Sequence, residues 1–158
     1  MAGNNSSWEY PANFYFQVDF QNRNGKIMKA SFYEIDGLGW SFNTESTKDN
    51  SNSKVSMPTG VASGTLTLKR PLVLDDEFTS WIDQCSRIMT LPGGSSLRNR
   101  WTYDVVVKLL NAEGSPIAAW SFERAFPTKY SLGQLKADSS GLAMETITLE
   151  YSRIERVV

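Results

Sequence analysis

Apolar and polar residues alternate along most of this chain. Phe14, Phe16, Val18 and Phe20 are interleaved with Tyr15, Gln17 and Asp19, the period-of-two pattern of a half-buried strand. Gln21-Asn22-Arg23-Asn24-Gly25 then reads as a hairpin turn, because Asn and Gly tolerate positive φ. A return strand is predicted from Ile27 to Ile35, ended by the break Asp36-Gly37-Leu38-Gly39. Thr65, Leu66, Thr67, Leu68 and Lys69 alternate again, and Pro71, which cannot donate to a ladder, marks the end of that strand. Trp101, Tyr103, Val105, Val107 and Leu109 form one face of a later strand. Asn111-Ala112-Glu113-Gly114 is a hairpin loop with Gly at its left-handed position. Ala118, Trp120 and Phe122 share one side of the returning strand, which Pro127 is expected to interrupt. A short strand over Thr128 to Gln134, a turn at Ala137–Gly141 and a long final strand from Leu142 to Ile154 complete the pattern. In that last strand Ile147, Leu149 and Tyr151 face one way.

One stretch follows a different period. Phe78, Trp81, Ile82, Cys85, Ile88 and Met89 recur at spacings of three and four, so they share one face of a helix. Asp75 stands where an N-cap belongs, with Asp76 and Glu77 in the first turn, where carboxylates accept orphan N–H bonds and oppose the helix dipole. Pro92-Gly93-Gly94 stops it. A lone helix of roughly 15 residues is marginal in water, so this one must lay its apolar face on a sheet. The sum is a mainly β chain, an antiparallel barrel or sandwich of about 7–8 strands with one packed α-helix.

Two features do not reduce to core building. Asn43 to Ser56, NTESTKDNSNSKVS, is nearly free of apolar residues. It reads either as a flexible surface loop or, being long for an unstructured connection, as an arm that orders against a partner. Separately, Thr65, Thr67 and Lys69 on one strand, and Thr146, Thr148, Glu150 and Ser152 on another, form small polar faces. A solvated outer face and the wall of a water-filled lumen have the same signature.

The chain has 158 residues and is expected to be a single domain (1–158), with a loose N-terminus (1–12) in which Trp8, Tyr10 and Pro11 are the anchors available. Its net charge of −1 argues against a general nucleic-acid binder. No apolar run reaches the length of a membrane span, and MAGNNSSWEYP lacks the basic and greasy regions of a secretion signal. One cysteine permits no internal disulfide and fits a reducing compartment. Cys85 itself reads as a small buried hydrophobe rather than a reactive thiol.

Histidine is absent, which removes Ser-His and Cys-His nucleophiles and the commonest metal ligand. Carboxylate or Ser-Lys chemistry and oxygen-ligand cation sites remain. Asp75-Asp76-Glu77 is the one dense acidic cluster, and helix capping accounts for it. Lys69-Arg70 reads as a solvated or ion-paired strand end, and Asp49-Asn50-Ser51-Asn52 lacks the register of a calcium loop. Trp120, Phe122 and Phe126 near Arg124 suggest base stacking less than core packing. No catalytic residue, cofactor site or metal site is assigned.

An ordered set of segments resembles a known family. The set comprises Tyr10-Pro11 leading into Phe14–Phe20, Glu34-Ile35-Asp36-Gly37-Leu38, and Thr67-Leu68-Lys69-Arg70-Pro71-Leu72 before the acid-capped helix with Trp81. Leu109–Pro116 leading to Trp120-Ser121-Phe122, then Phe126-Pro127-Thr128-Lys129-Tyr130 and Met144–Glu150, continue it. From about Tyr10 to Tyr151 the chain resembles the tail tube proteins of contractile-tailed phages and related bacterial contractile injection systems. The resemblance implies a non-enzymatic, β-barrel-like structural subunit with a flanking helix. Subunits would pair their sheets into hexameric rings, stacked as a hollow conduit inside a contractile sheath. Its partners would be its own copies, the sheath, baseplate or terminator proteins, and DNA or effector cargo. Assembly would take place in the bacterial cytoplasm, and the product would be a virion tail or injection particle. On this sequence it makes Thr65, Thr67, Lys69, Thr146, Thr148 and Glu150 candidates for the lumen face. The extended loop 43–56 becomes an arm to a neighbouring subunit or ring, carried by Asn43, Glu45, Lys48, Asp49 and Lys54, with Trp40 and Met57 as anchors at its base. The competing expectations are a soluble β-barrel binding a small ligand or sugar and, more remotely, a carboxylate-based hydrolase.

Overall fold

The computed structural model describes residues 15–62, 64–93, 101–137, 141 and 143–158. Residues 1–12, with the expected anchors Trp8, Tyr10 and Pro11, lie outside the described residues, as do 94–100 and most of the turn expected at Ala137–Gly141.

The described strands are β1 (Tyr15–Gln21), β2 (Ile27–Ala30), β3 (Glu34–Asp36), β4 (Phe42–Lys48), β5 (Lys54–Val61) and β6 (Gly64–Pro71). The helix α1 (Glu77–Met89) follows, then β7 (Tyr103–Leu110), β8 (Pro116–Leu132), β9 (Met144–Tyr151) and β10 (Arg153–Arg156). The main sheet is antiparallel in the order β2-β1-β7-β8-β9-β6-β3, with β10 also paired to β8. β4 and β5 form a separate two-stranded sheet.

Two layers result because β8 serves both. Its first half pairs with β7 and β10, and its second half pairs with β9. Between the halves Arg124 takes a left-handed φ of 54°, with its N–H donating to Asp104 Oδ1 at 3.0 Å. That kink lets one strand leave one layer and enter the other, the corner role of a bulge. Pro127 therefore does not interrupt the strand. It sits beside a shift in the β8–β9 register, where an absent N–H is tolerated. The expected strand Ile27–Ile35 likewise splits into β2 and β3, which belong to opposite ends of the order, and the expected final strand breaks at Ser152.

The alternation predicts the core well. Val18, Phe20, Leu66, Leu68, Val105, Val107, Phe122, Ile147 and Leu149 are fully buried between the layers. Their side chains fill the subunit's interior. α1 packs against β2 and β8, burying Phe78, Trp81, Ile82 and Cys85. Phe78 contacts Phe20 and Phe32 at centroid distances of 5.0 and 5.3 Å. The Trp81 indole N–H donates to the Trp101 carbonyl at 2.9 Å. Met89, expected on the same face, is 57% exposed, because the last turn runs past the sheet. The N-cap is Asp76, not Asp75: its carboxylate accepts from Thr79 N–H at 2.8 Å, while Asp75 is exposed.

Three hairpin tips share one design. In Asn22–Lys26, Asp49–Ser53 and Asn111–Ser115, the first side chain's oxygen accepts backbone N–H bonds from the third and fifth residues. The fourth residue, Gly25, Asn52 or Gly114, is left-handed. Asn and Asp side chains favour such turns by mimicking a backbone acceptor.

Candidate assembly surfaces

Arg70 and Glu145 are cross-strand partners on β6 and β9, in phase with Leu66, Leu68, Ile147 and Leu149, so both point into the core. Arg70 is not a solvated strand end. Its Nε donates to Glu145 Oε1, and its other nitrogens reach Asp76 at 2.6 and 3.2 Å and Thr79 Oγ1 at 3.1 Å. The guanidinium lies over the rings of Phe32 and Phe78, 5.5 and 4.9 Å from their centroids. Tyr130 Oη donates to the second Glu145 oxygen at 2.9 Å. One cation thus joins the sheet, the helix N-terminus and, through Glu145, the last part of β8.

Partial burial alone raises the Asp76 pKa, but hydrogen bonds from Arg70 and Thr79 outweigh it and hold the carboxyl at about 2. An unfolded aspartate titrates near 3.9. A carboxyl whose folded pKa is depressed contributes stability above its unfolded pKa and loses it as pH falls toward the folded one. The denaturation midpoint should therefore decline as pH is lowered from about 4 toward 2. With no histidine, it should stay level between about pH 5 and 8. Urea titrations across that range check both limbs.

The residues expected to line a lumen do come together. Thr65, Thr67 and Lys69 on β6 pair with Glu150, Thr148 and Thr146 on β9. All six lie on the face opposite the buried Leu66, Leu68, Ile147 and Leu149. The four-stranded layer β3-β6-β9-β8 ends in two open edges. No described strand pairs with the far side of β3 or with the second half of β8 beyond β9. Gly37, just after β3, has φ +99° and approaches β6 so closely that a Cβ would sit 2.2 Å from the Thr65 carbonyl oxygen. Only glycine lets the chain leave the edge there.

The stretch 43–56 is ordered structure rather than a loop. It lies within the β4–β5 hairpin, whose every residue is exposed. Asn43, Glu45 and Lys48 are on β4, Lys54 and Met57 are on β5, and Asp49 opens the tip. Bonds from Ser51 and Ser53 hold the Asp49 pKa below the ordinary value. Within the subunit neither expected anchor is buried. Trp40 is 66% and Met57 58% exposed, and Met57 pairs with Glu45 in mid-strand. Trp40 packs at a tilt against Phe42, with ring centroids 4.7 Å apart. An isolated two-stranded ribbon is marginal in water, so this one needs a surface to lie on.

Between α1 and the second half of β8 runs an apolar groove of about 640 Å³, lined by Ile82, Cys85, Met89, Phe126, Pro127 and Tyr130 among others. Burial pushes the Cys85 thiol up to about 12, so it is protonated and unreactive at neutral pH. Among the described residues no three His, Cys, Asp or Glu side chains gather as a metal site.

The sequence and the fold both have counterparts among known proteins. The T4-like virus tail tube protein gp19 family matches residues 12–155. No curated protein sequence matches significantly. Among solved structures, a chain of the anti-feeding prophage baseplate, 6-fold symmetrised, superposes with a TM-score of 0.78 at 22% identity, covering 94% of this chain and 97% of that one. A chain of the sheath-tube complex of an extracellular contractile injection system, PVC, gives 0.73 at 23% identity, covering 96% and 93%. A chain of that system's sheath/tube terminator gives 0.75 at 24%, covering 96% and 100%. These likenesses share the antiparallel fold with one helix, and the family match spans nearly the whole sequence. The chain belongs to the T4-like virus tail tube protein family and is a structural component of a phage tail or contractile injection particle.

Proposed function

We propose that this subunit closes into six-membered rings through the two open edges of β3-β6-β9-β8, and that the rings stack into a hollow tube. The observation that carries the reading is this layer. One face is core, the other is small and polar, and both edges lack a strand partner among the described residues. Exposed strand edges are a liability unless they are paired or covered, and head-to-tail pairing closes them. Six four-stranded layers side by side have a circumference of roughly 115 Å, which is a backbone diameter of about 35 Å. Thr65, Thr67, Lys69, Thr146, Thr148 and Glu150 then line the bore. Six-fold symmetry is that of the similar anti-feeding prophage assembly.

The β4–β5 hairpin reaches the adjacent subunit or ring. The contractile sheath surrounds the tube, and baseplate and terminator proteins sit at its ends. DNA or an effector protein passes through, and the chain assembles in the bacterial cytoplasm before joining the particle. The role is that of a conduit rather than a catalyst. Phe20, Phe122 and Leu149 are fully buried between the layers, which supports a packed structural interior over a small-ligand or sugar site. Negative-stain microscopy with light scattering of the purified chain tests the reading. Rings about six subunits round, or hollow tubes, are the expected outcome. A protein that remains monomeric at high concentration would refute it.

A further inference from the structure

Resting on that ring reading, we infer that Lys129 is the residue that selects the correct strand edge for ring closure, by pairing with the acidic edge Glu34/Asp36 of the next copy. Lys129 lies on the open edge half of β8, is exposed, and has no ion-pair partner among the described residues. It pairs in register with Thr148, so it stands on the polar face, while its neighbour Tyr130 pairs with Ile147 and reaches the buried Glu145. At the opposite border of the same layer, Glu34 and Asp36 occupy that polar face on β3.

Strand direction makes the two borders compatible. β3, β6, β9 and β8 are antiparallel in succession. An even number of alternating strands leaves β8 and the next copy's β3 running in opposite directions. The cross-strand rows are Lys129-Thr148-Thr67-Asp36 and Ser131-Thr146-Lys69-Glu34. If rows run level around the ring, Lys129 meets Asp36 of the next copy. If they stagger by one same-face step, it meets Glu34. Both of these registers land the cation on a carboxylate, whereas a step the other way would carry it past the end of β3. Inside the same edge, the apolar α1–β8 groove lies where the neighbour's β3 can cover it.

A lysine on an edge strand discourages indiscriminate pairing. It permits pairing with an edge that carries the opposite charge, because opposite charges directly across strands attract and like charges repel. Glu34 already lies 3.8 Å from Lys69 in its own copy, with both side chains largely exposed. Lys129 would therefore join a mixed-charge row rather than face a bare acid.

Charge reversal tests this, with two variant chains used alone and mixed. Lys129→Glu places acid against acid at every junction, and Glu34→Lys with Asp36→Lys places lysine against lysine. Each variant alone should need a concentration raised by roughly tenfold or more before rings appear. The equimolar mixture should form alternating rings at the concentration of the unmodified chain, because every junction then joins opposite charges. Rescue on mixing also shows that both variants are folded. If Asp36→Lys disturbs folding, Glu34→Lys with Asp36→Asn serves as the second chain, since the Asn oxygen can still accept from the Gly37 N–H. The inference is overturned if either variant assembles alone as readily as the unmodified chain, or if two folded variants fail to co-assemble. Failure of the unmodified chain to form any ring would instead sink the ring reading beneath it.

Discussion

Replacing Arg70 with alanine should cost about 3–5 kcal/mol of folding stability, the typical penalty for removing one partner of a buried ion pair. Arg70 is 3% exposed and Glu145 is 2% exposed. Without Arg70, Glu145 keeps only the Tyr130 hydroxyl among the described residues, and Asp76 loses two of its bonds. An uncompensated carboxylate in a core costs far more than the pair contributes. Domains of this size have a total stability of about 5–15 kcal/mol, so the variant should be close to unfolding at ambient temperature. The double replacement Arg70→Met with Glu145→Leu removes both charges and should recover most of the loss. Tryptophan fluorescence in urea gives both midpoints. A single variant within about 1 kcal/mol of the parent would mean that water or a rearranged neighbour compensates Glu145.

The second large effect concerns assembly rather than folding. Excising 42–61 and joining Ser41 to Ala62 through Asn-Gly should leave the subunit folded and abolish tube growth. The junction suits a tight turn, because Ala62 N–H already donates to the Ser41 carbonyl at 2.9 Å. No hairpin residue belongs to the core, so the melting transition should move little. Sedimentation and microscopy should show subunits or single rings under conditions where the intact chain is expected to give long tubes. Normal polymerisation of the shortened chain would rule out the hairpin as a contact between rings.

The readability of this sequence followed burial. Strands β1, β6, β7 and β9 each set one face on the core, and alternation is what a one-sided burial leaves behind. The same holds for α1. The β4–β5 hairpin has no buried face, so no apolar periodicity marks it. Its signal was the turn instead. Asp49–Ser53 repeats the chemistry of Asn22–Lys26 and Asn111–Ser115, with Asn52 in place of the glycine that made the other two conspicuous.

Arg70 and Glu145 carried a signal that reading Lys69-Arg70 as a solvated or ion-paired strand end passed over. Each continues an alternating apolar series inward, and charged residues in phase on two strands predict a buried pair. The continuity of β8 was not legible. Proline ordinarily ends a ladder, and only the register shift beside Pro127 shows how the strand continues. The polar face of Thr65, Thr67, Thr146 and Thr148 was located correctly, but no residue pattern tells whether copies enclose it.

That β8 runs unbroken through both layers bears on how the subunit comes apart. A sandwich whose sheets have separate strands can shed one sheet while the other persists. Here 17 residues of a single backbone supply hydrogen bonds to both. Peeling either layer drags the common strand from the other, so the amides on its two halves should lose protection together in hydrogen exchange, as one cooperative unit. A component loaded suddenly by a contracting envelope would then resist partial opening up to the point where it fails entirely.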